Sequence, residues 1–115
     1  MSKININVTI KSNGEEVEEN YLALRNNNKI IYQEKNCKTT IDLNKFKIKK
    51  ENKESLLEMN FIPNKETNGR YLLKKENSLI NLTILTDYLI IEDNLIILKY
   101  NVITTNQDVI FKLKM

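Results

Sequence analysis

Histidine is absent from these 115 residues, and cysteine occurs once, at Cys37. Without imidazole there is no Ser-His-Asp triad, no Cys-His dyad, no histidine general base and no imidazole metal site. One thiol can form neither an internal disulfide nor a thiolate zinc site, and a lone cysteine fits a reducing compartment. Only 2 glycines and 1 proline interrupt the chain, and no glycine-rich phosphate loop is present. No apolar run approaches the roughly 20 residues of a membrane-spanning helix. The N-terminal MSKININVTIK alternates from its first residues instead of building the continuous apolar stretch of a signal peptide. Arginine is confined to Arg25 and Arg70, and the net charge of +3 makes a weak case for nucleic acid or an anionic membrane. The expectation is a cytoplasmic, non-catalytic protein with no cofactor and no metal.

What the chain does have is two-residue periodicity. Hydrophobic residues make up 41% and charged residues 29%, the balance of one globular domain spanning residues 1–115. Ile4, Ile6, Val8 and Ile10 alternate with polar residues, and Asn13-Gly14 is a strong hairpin turn signal. A two-residue turn there sets Ile10 opposite Val17, Ile6 opposite Tyr21 and Ile4 opposite Ala23. It also sets Val8 opposite Glu19 and sends Leu22 and Leu24 to the other face, a conflict that a bulge near Glu18 would relieve. Further alternation follows in KIIYQEK, in Thr39/Ile41/Leu43, in KFKIKK, in Leu57/Met59/Phe61, in RYLLKK and in Val109/Phe111/Leu113, with KETNG read as a turn. No segment carries a helical apolar stripe. About nine or ten short strands separated by tight turns predict an antiparallel up-and-down β-barrel, closed so that no edge is exposed.

The most unusual stretch is TDYLIIEDNLIILKY, two strands around a tight turn with both faces apolar near the tip. With the turn at Asp93-Asn94, one face carries Leu85, Asp87, Leu89, Ile91, Ile96, Leu98, Tyr100 and Val102, and is the expected core face. It sets Asp87 directly opposite Tyr100. The other face groups Tyr88, Ile90 and Ile97 toward the tip as an outer apolar patch.

Tyr-x-Glu at Tyr32 to Glu34, Leu-x-Ile-x-Thr at Leu82 to Thr86, and aliphatic-x-Tyr-x-aliphatic at Leu98, Tyr100 and Val102 together resemble the YwiB-like family of bacterial proteins. The resemblance runs from roughly Ile4 to Leu113. It implies a small calycin-like (lipocalin-like) barrel of about 8–10 strands, and it implies no activity. Where the family has a basic residue and a glycine after its Thr-rich strand, and another glycine before its Tyr strand, this chain has Lys50, Glu51 and Asn52, and then Asn94.

The interior candidates are Asp87 and Tyr100, with Tyr32 and Glu34 nearby. They either orient a small apolar ligand in the barrel or satisfy one another as buried polar groups. The wealth of bulky Ile, Leu, Phe and Tyr argues for a filled lumen. Tyr88, Ile90 and Ile97 are the candidate interface of a homodimer. Lys45, Lys47, Lys49 and Lys50 could track a phosphate backbone, but Phe46 has the opposite parity to Lys45 and Lys47, so nucleic acid ranks last.

Overall fold

The computed structural model describes residues 2–115. Ten strands follow one another: β1 (Ser2–Ser12), β2 (Glu15–Arg25), β3 (Lys29–Gln33), β4 (Lys38–Asp42), β5 (Lys47–Glu51), β6 (Ser55–Asn60), β7 (Glu66–Leu73), β8 (Ser78–Glu92), β9 (Leu95–Val102) and β10 (Gln107–Lys114). Each pairs antiparallel with its neighbours in sequence, and β10 returns to β1, so the meander closes into a barrel. An eight-stranded barrel encloses just enough room for its own side chains, and interior width grows with strand number, so ten strands leave space to be filled or kept open.

Asparagine does much of the work that glycine and proline do elsewhere. Asn13, Asn64, Asn77 and Asn106 take positive φ at chain reversals, the left-handed conformation that asparagine tolerates best after glycine. The side-chain oxygens of Asn26, Asp42 and Asn52 accept backbone N–H bonds from residues two and three positions on, which pre-forms the β2–β3, β4–β5 and β5–β6 turns.

The even-numbered turn-starts put the β2–β3, β4–β5, β6–β7 and β8–β9 connections at one end of the barrel, here the lower end, and the other five at the upper end. Inward residues line up in register across strands. One such row is Ile30, Ile41, Ile48, Met59, Gly69 and Leu82. The lower end is plugged by aromatics: Phe46 packs edge-on against Phe61 with centroids 6.0 Å apart, and Phe61 lies 4.8 Å from Tyr100. Phe46 holds a positive φ of 34°, which a bulky side chain adopts only under constraint. That constraint is its burial together with the hydrogen bond from the Phe61 N–H to its carbonyl.

Three expectations change. First, no bulge relieves the β1–β2 hairpin: Val8 faces Glu19, and Leu22 is 62% exposed. The conflict is tolerable because β2 pairs with β3 only through Ala23, Leu24 and Arg25, so the Glu15–Asn20 stretch stands clear of the barrel with both faces wet. Its glutamates also discourage pairing along that free edge. Second, KETNG is not a turn; Glu66–Gly69 begin β7, with Gly69 inside the barrel. Third, the bulge expected in the first hairpin lies in the last long one. Asp87 is the extra residue, so Thr86, and not Asp87, faces Tyr100. Below the bulge the expected pairing holds, Leu89 with Leu98 and Ile91 with Ile96; above it the parity flips, and Ile84 and Thr86 turn inward while Leu85 turns out. Ile91 keeps its inward parity yet is 51% exposed, because β8 beyond Thr86 pairs only with β9.

Candidate functional site: the upper cavity of the barrel

The lumen is filled only in part. A cavity of about 450 Å³ opens at the upper end. Its walls are mainly apolar, from Ile10, Leu57, Met59, Leu82, Val102 and Val109, and Tyr100 lines its deeper part. Below Tyr100 the aromatic plug takes over. Gly69 shapes one wall: a Cβ there would sit 2.8 Å from the Glu58 carbonyl oxygen and 2.9 Å from Ile84 Cδ1, so only glycine lets β6 and β7 close up behind Met59 and Leu82.

The rim is polar. Tyr32, Thr39, Lys50, Leu57, Tyr71 and Ile80 follow one another across β3 to β8 in a single inward-facing row. Lys50 lines the cavity, and its Nζ lies 3.0 and 3.2 Å from Glu34 Oε1 and Oε2. The Cys37 thiol donates to Glu34 Oε2 at 3.0 Å. Burial first, and then the hydrogen bond and charge of Glu34, push that thiol's pKa up, so it is a neutral donor and a poor nucleophile. Across the mouth, Gln107 Nε2 donates to Ser12 Oγ at 3.0 Å.

Tyr32 points inward and stacks on Tyr21 with centroids 5.0 Å apart. Its hydroxyl has no hydrogen-bond partner among the described residues. Burial, followed by the Glu34 charge, raises the phenol well above its ordinary range; the Thr39 hydroxyl across the β3–β4 pair eases the shift, though the geometry falls short of a hydrogen bond. Desolvation likewise pushes the Tyr100 phenol up to about 12.

Of the residues singled out from sequence, Tyr32 and Tyr100 are thus on the inside, and Glu34 sits half-buried in the β3–β4 connection against Lys50. Asp87 is not on the inside. The bulge turns it outward, where its carboxylate is 61% exposed and lies 3.5 Å from Lys99 Nζ. With Asn64, Asn101 and Asp108 it lines a second, outer cleft of about 400 Å³ beside the bulge. The expected Asp87–Tyr100 pair therefore does not form. Tyr88, Ile90 and Ile97 do share the outer face of the β8–β9 hairpin, with Tyr88 and Ile90 about two-fifths exposed and Ile97 half-buried.

Lys50 went unnoticed as an interior residue although a signal for it exists. It has the same parity as Ile48, so the pattern that buries Ile48 also turns Lys50 inward. The lysine strand is therefore not one basic track: Lys47 and Lys49 face out and lie 3.5 and 3.7 Å from Glu58 and Glu51, while Lys50 faces in. Among the described residues, no helix is long and apolar enough to cross a membrane.

No family model matches the chain, and no curated protein matches it. Among solved structures, the chain is similar to the ywiB protein from Bacillus subtilis, with 13% sequence identity over 96% of this chain and 87% of that one, at a TM-score of 0.47. That protein bears the name of the family that the sequence motifs resemble, and no residue, activity or partner passes from the likeness to this chain.

Proposed function

We propose that this protein is a non-catalytic binding barrel of the calycin-like, YwiB-like kind that holds a small, largely apolar ligand in its upper cavity. The carrying observation is the cavity itself: about 450 Å³, open to solvent at one end and walled by aliphatic side chains. Ligand pockets typically measure about 300–1,000 Å³ and combine apolar walls with a few convergent polar groups. Burial raises the Tyr32 and Tyr100 phenols and the Cys37 thiol, so none of the three offers a ready anionic nucleophile or base. The free Cys37 fits a reducing cytoplasm. Titration with Nile red, a neutral dye that brightens in apolar surroundings, tests the reading. Saturable binding is expected, and Leu57→Trp, which fills the mouth, weakens it at least tenfold. Dye binding unchanged by that substitution would count against the cavity.

A second reading has its own observation. Tyr88, Ile90 and Ile91 are 38%, 40% and 51% exposed on a strand segment that bonds to β9 alone. A homodimer covering this tip would remove apolar area worth roughly 25 cal/mol per Å². Light scattering at high micromolar concentration tests it: a dimer that Ile90→Lys with Ile97→Lys dissociates without unfolding supports the reading, and a monomer rejects it.

A further inference from the structure

We propose that the rim of the cavity selects a neutral amphiphile with a carbonyl or amide head group, in preference to aliphatic anions or amines; this rests on the cavity being the binding site. Lys50 is the sole charged residue in the cavity lining among the described residues, so a head group entering there meets it first. An ammonium carries three donors. Both oxygens of Glu34 lie against it at 3.0 and 3.2 Å, which leaves at least one donor for a ligand.

The charge of Lys50 is already spent. Its side chain and that of Glu34 are 24% and 17% exposed, close enough and dry enough for the pair to act as one neutral unit. The neutral Cys37 thiol adds a hydrogen bond and no charge. A carboxylate bonded to Lys50 would lie farther from Glu34 than from the ammonium, so the repulsion offsets part of the attraction. It would still have to shed its hydration to enter an apolar cavity. An alkylammonium meets the mirror-image problem. A carbonyl costs far less to desolvate than an ion and recovers that cost in a hydrogen bond from the ammonium. On the far side of the mouth, Gln107 and Ser12 are neutral as well.

Isothermal titration of the full chain with octanamide, octanoate and octylamine tests this with matched tails. The wild type is expected to bind octanamide at least tenfold more tightly than either ion. Glu34→Gln leaves Lys50 uncompensated and should invert the order, with octanoate tightest. Lys50→Met should weaken octanamide about tenfold, the scale of one charge-assisted hydrogen bond. Circular dichroism checks that both variants are folded, and either variant alone is a sufficient test. Octanoate binding as tightly as octanamide to the wild type overturns the proposal, as does an unchanged order in Glu34→Gln. Equal binding of all three probes, abolished by Leu57→Trp, sinks the head-group selection and keeps the cavity. No binding of any probe sinks both.

Discussion

Gly69→Ala is the sharpest probe of how the barrel wall is built. The added methyl would come 2.8 Å from the Glu58 carbonyl oxygen, 2.9 Å from Ile84 Cδ1 and 3.5 Å from Met59 Cγ. The Ile84 contact ends on a terminal methyl that can rotate away. The Glu58 contact is backbone in the neighbouring strand and can yield only if β6 moves. Overpacking of this kind costs about 1–3 kcal/mol. Because Gly69 does not need a positive φ, alanine also gains roughly 0.4–1 kcal/mol by restricting the unfolded chain. The net expectation is a loss of about 1–2 kcal/mol, seen in urea unfolding as a lower midpoint at unchanged slope, with a fall in Tm of roughly 5–10 °C. Ile84→Val removes the Cδ1 atom and by itself costs about 0.5–1.5 kcal/mol. Combined with Gly69→Ala it should cost less than the two losses added together, since one of the two close contacts is gone. The coupling stays partial because the Glu58 oxygen remains. Met59 and Leu82, which face Gly69 across β6 and β8, line the cavity, so dye affinity should fall with stability. A Gly69→Ala variant as stable as the wild type would refute the close approach of β6 and β7.

Three further outcomes are expected. Tyr32→Phe and Thr86→Val each remove a buried hydroxyl that has no hydrogen-bond partner among the described residues, and each should leave stability unchanged or raise it by about 1 kcal/mol; a loss greater than that in urea unfolding would reveal a hidden partner. Asp87→Ala should cost less than about 1 kcal/mol, since it breaks only an exposed ion pair with Lys99, and a loss of several kcal/mol would place the carboxylate back inside. The Arg70 hydrogen bond outweighs the opposing effect of burial, and the charges of Arg70 and Lys47 add to it, so the Glu58 carboxyl is held below its ordinary 4.5. A depressed folded-state pKa contributes stability that is complete above the unfolded value and lost as pH falls through the folded one. The urea midpoint of the wild type should therefore exceed that of Glu58→Gln above about pH 4.5, and the gap should close in more acidic solution, the effect staying under about 1 kcal/mol.

The barrel was legible because most strands have one wet and one dry face over the length that forms the wall, and period-2 alternation survives without knowledge of partners. Ile6, Val8, Ile41, Phe111 and Leu113 are buried as their alternation demands. What alternation cannot show is where the register slips. Asp87 occupies a position that continuous pairing assigns to the core, and the chain avoids that cost by inserting it as the extra residue of a bulge. The buried charge was itself the signal. A carboxylate predicted to face a phenol in a dry interior, with no cation opposite, is better resolved by shifting the strand than by inventing a site. The same reasoning placed a bulge near Glu18, and there it failed for an identifiable reason: β2 extends beyond β3, so the inner face at Glu19 is not dry.

Whether the lumen is filled or hollow turns on distribution rather than amount. The bulky residues are plentiful but gathered low: Phe46, Phe61 and Tyr100 stack toward one end. At the other end the inward row carries Thr39, Lys50 and Leu57, and the third of these is only partly buried. A lysine on the inward parity of a strand is incompatible with a dry, close-packed core, because no packing gain offsets the desolvation of an ammonium. It is compatible with an interior that stops being core at that level and opens to water or a ligand. KFKIKK therefore encodes the transition in six residues. Phe46 seals the lower end, Ile48 packs mid-barrel, and Lys50 marks the height at which the barrel becomes a container.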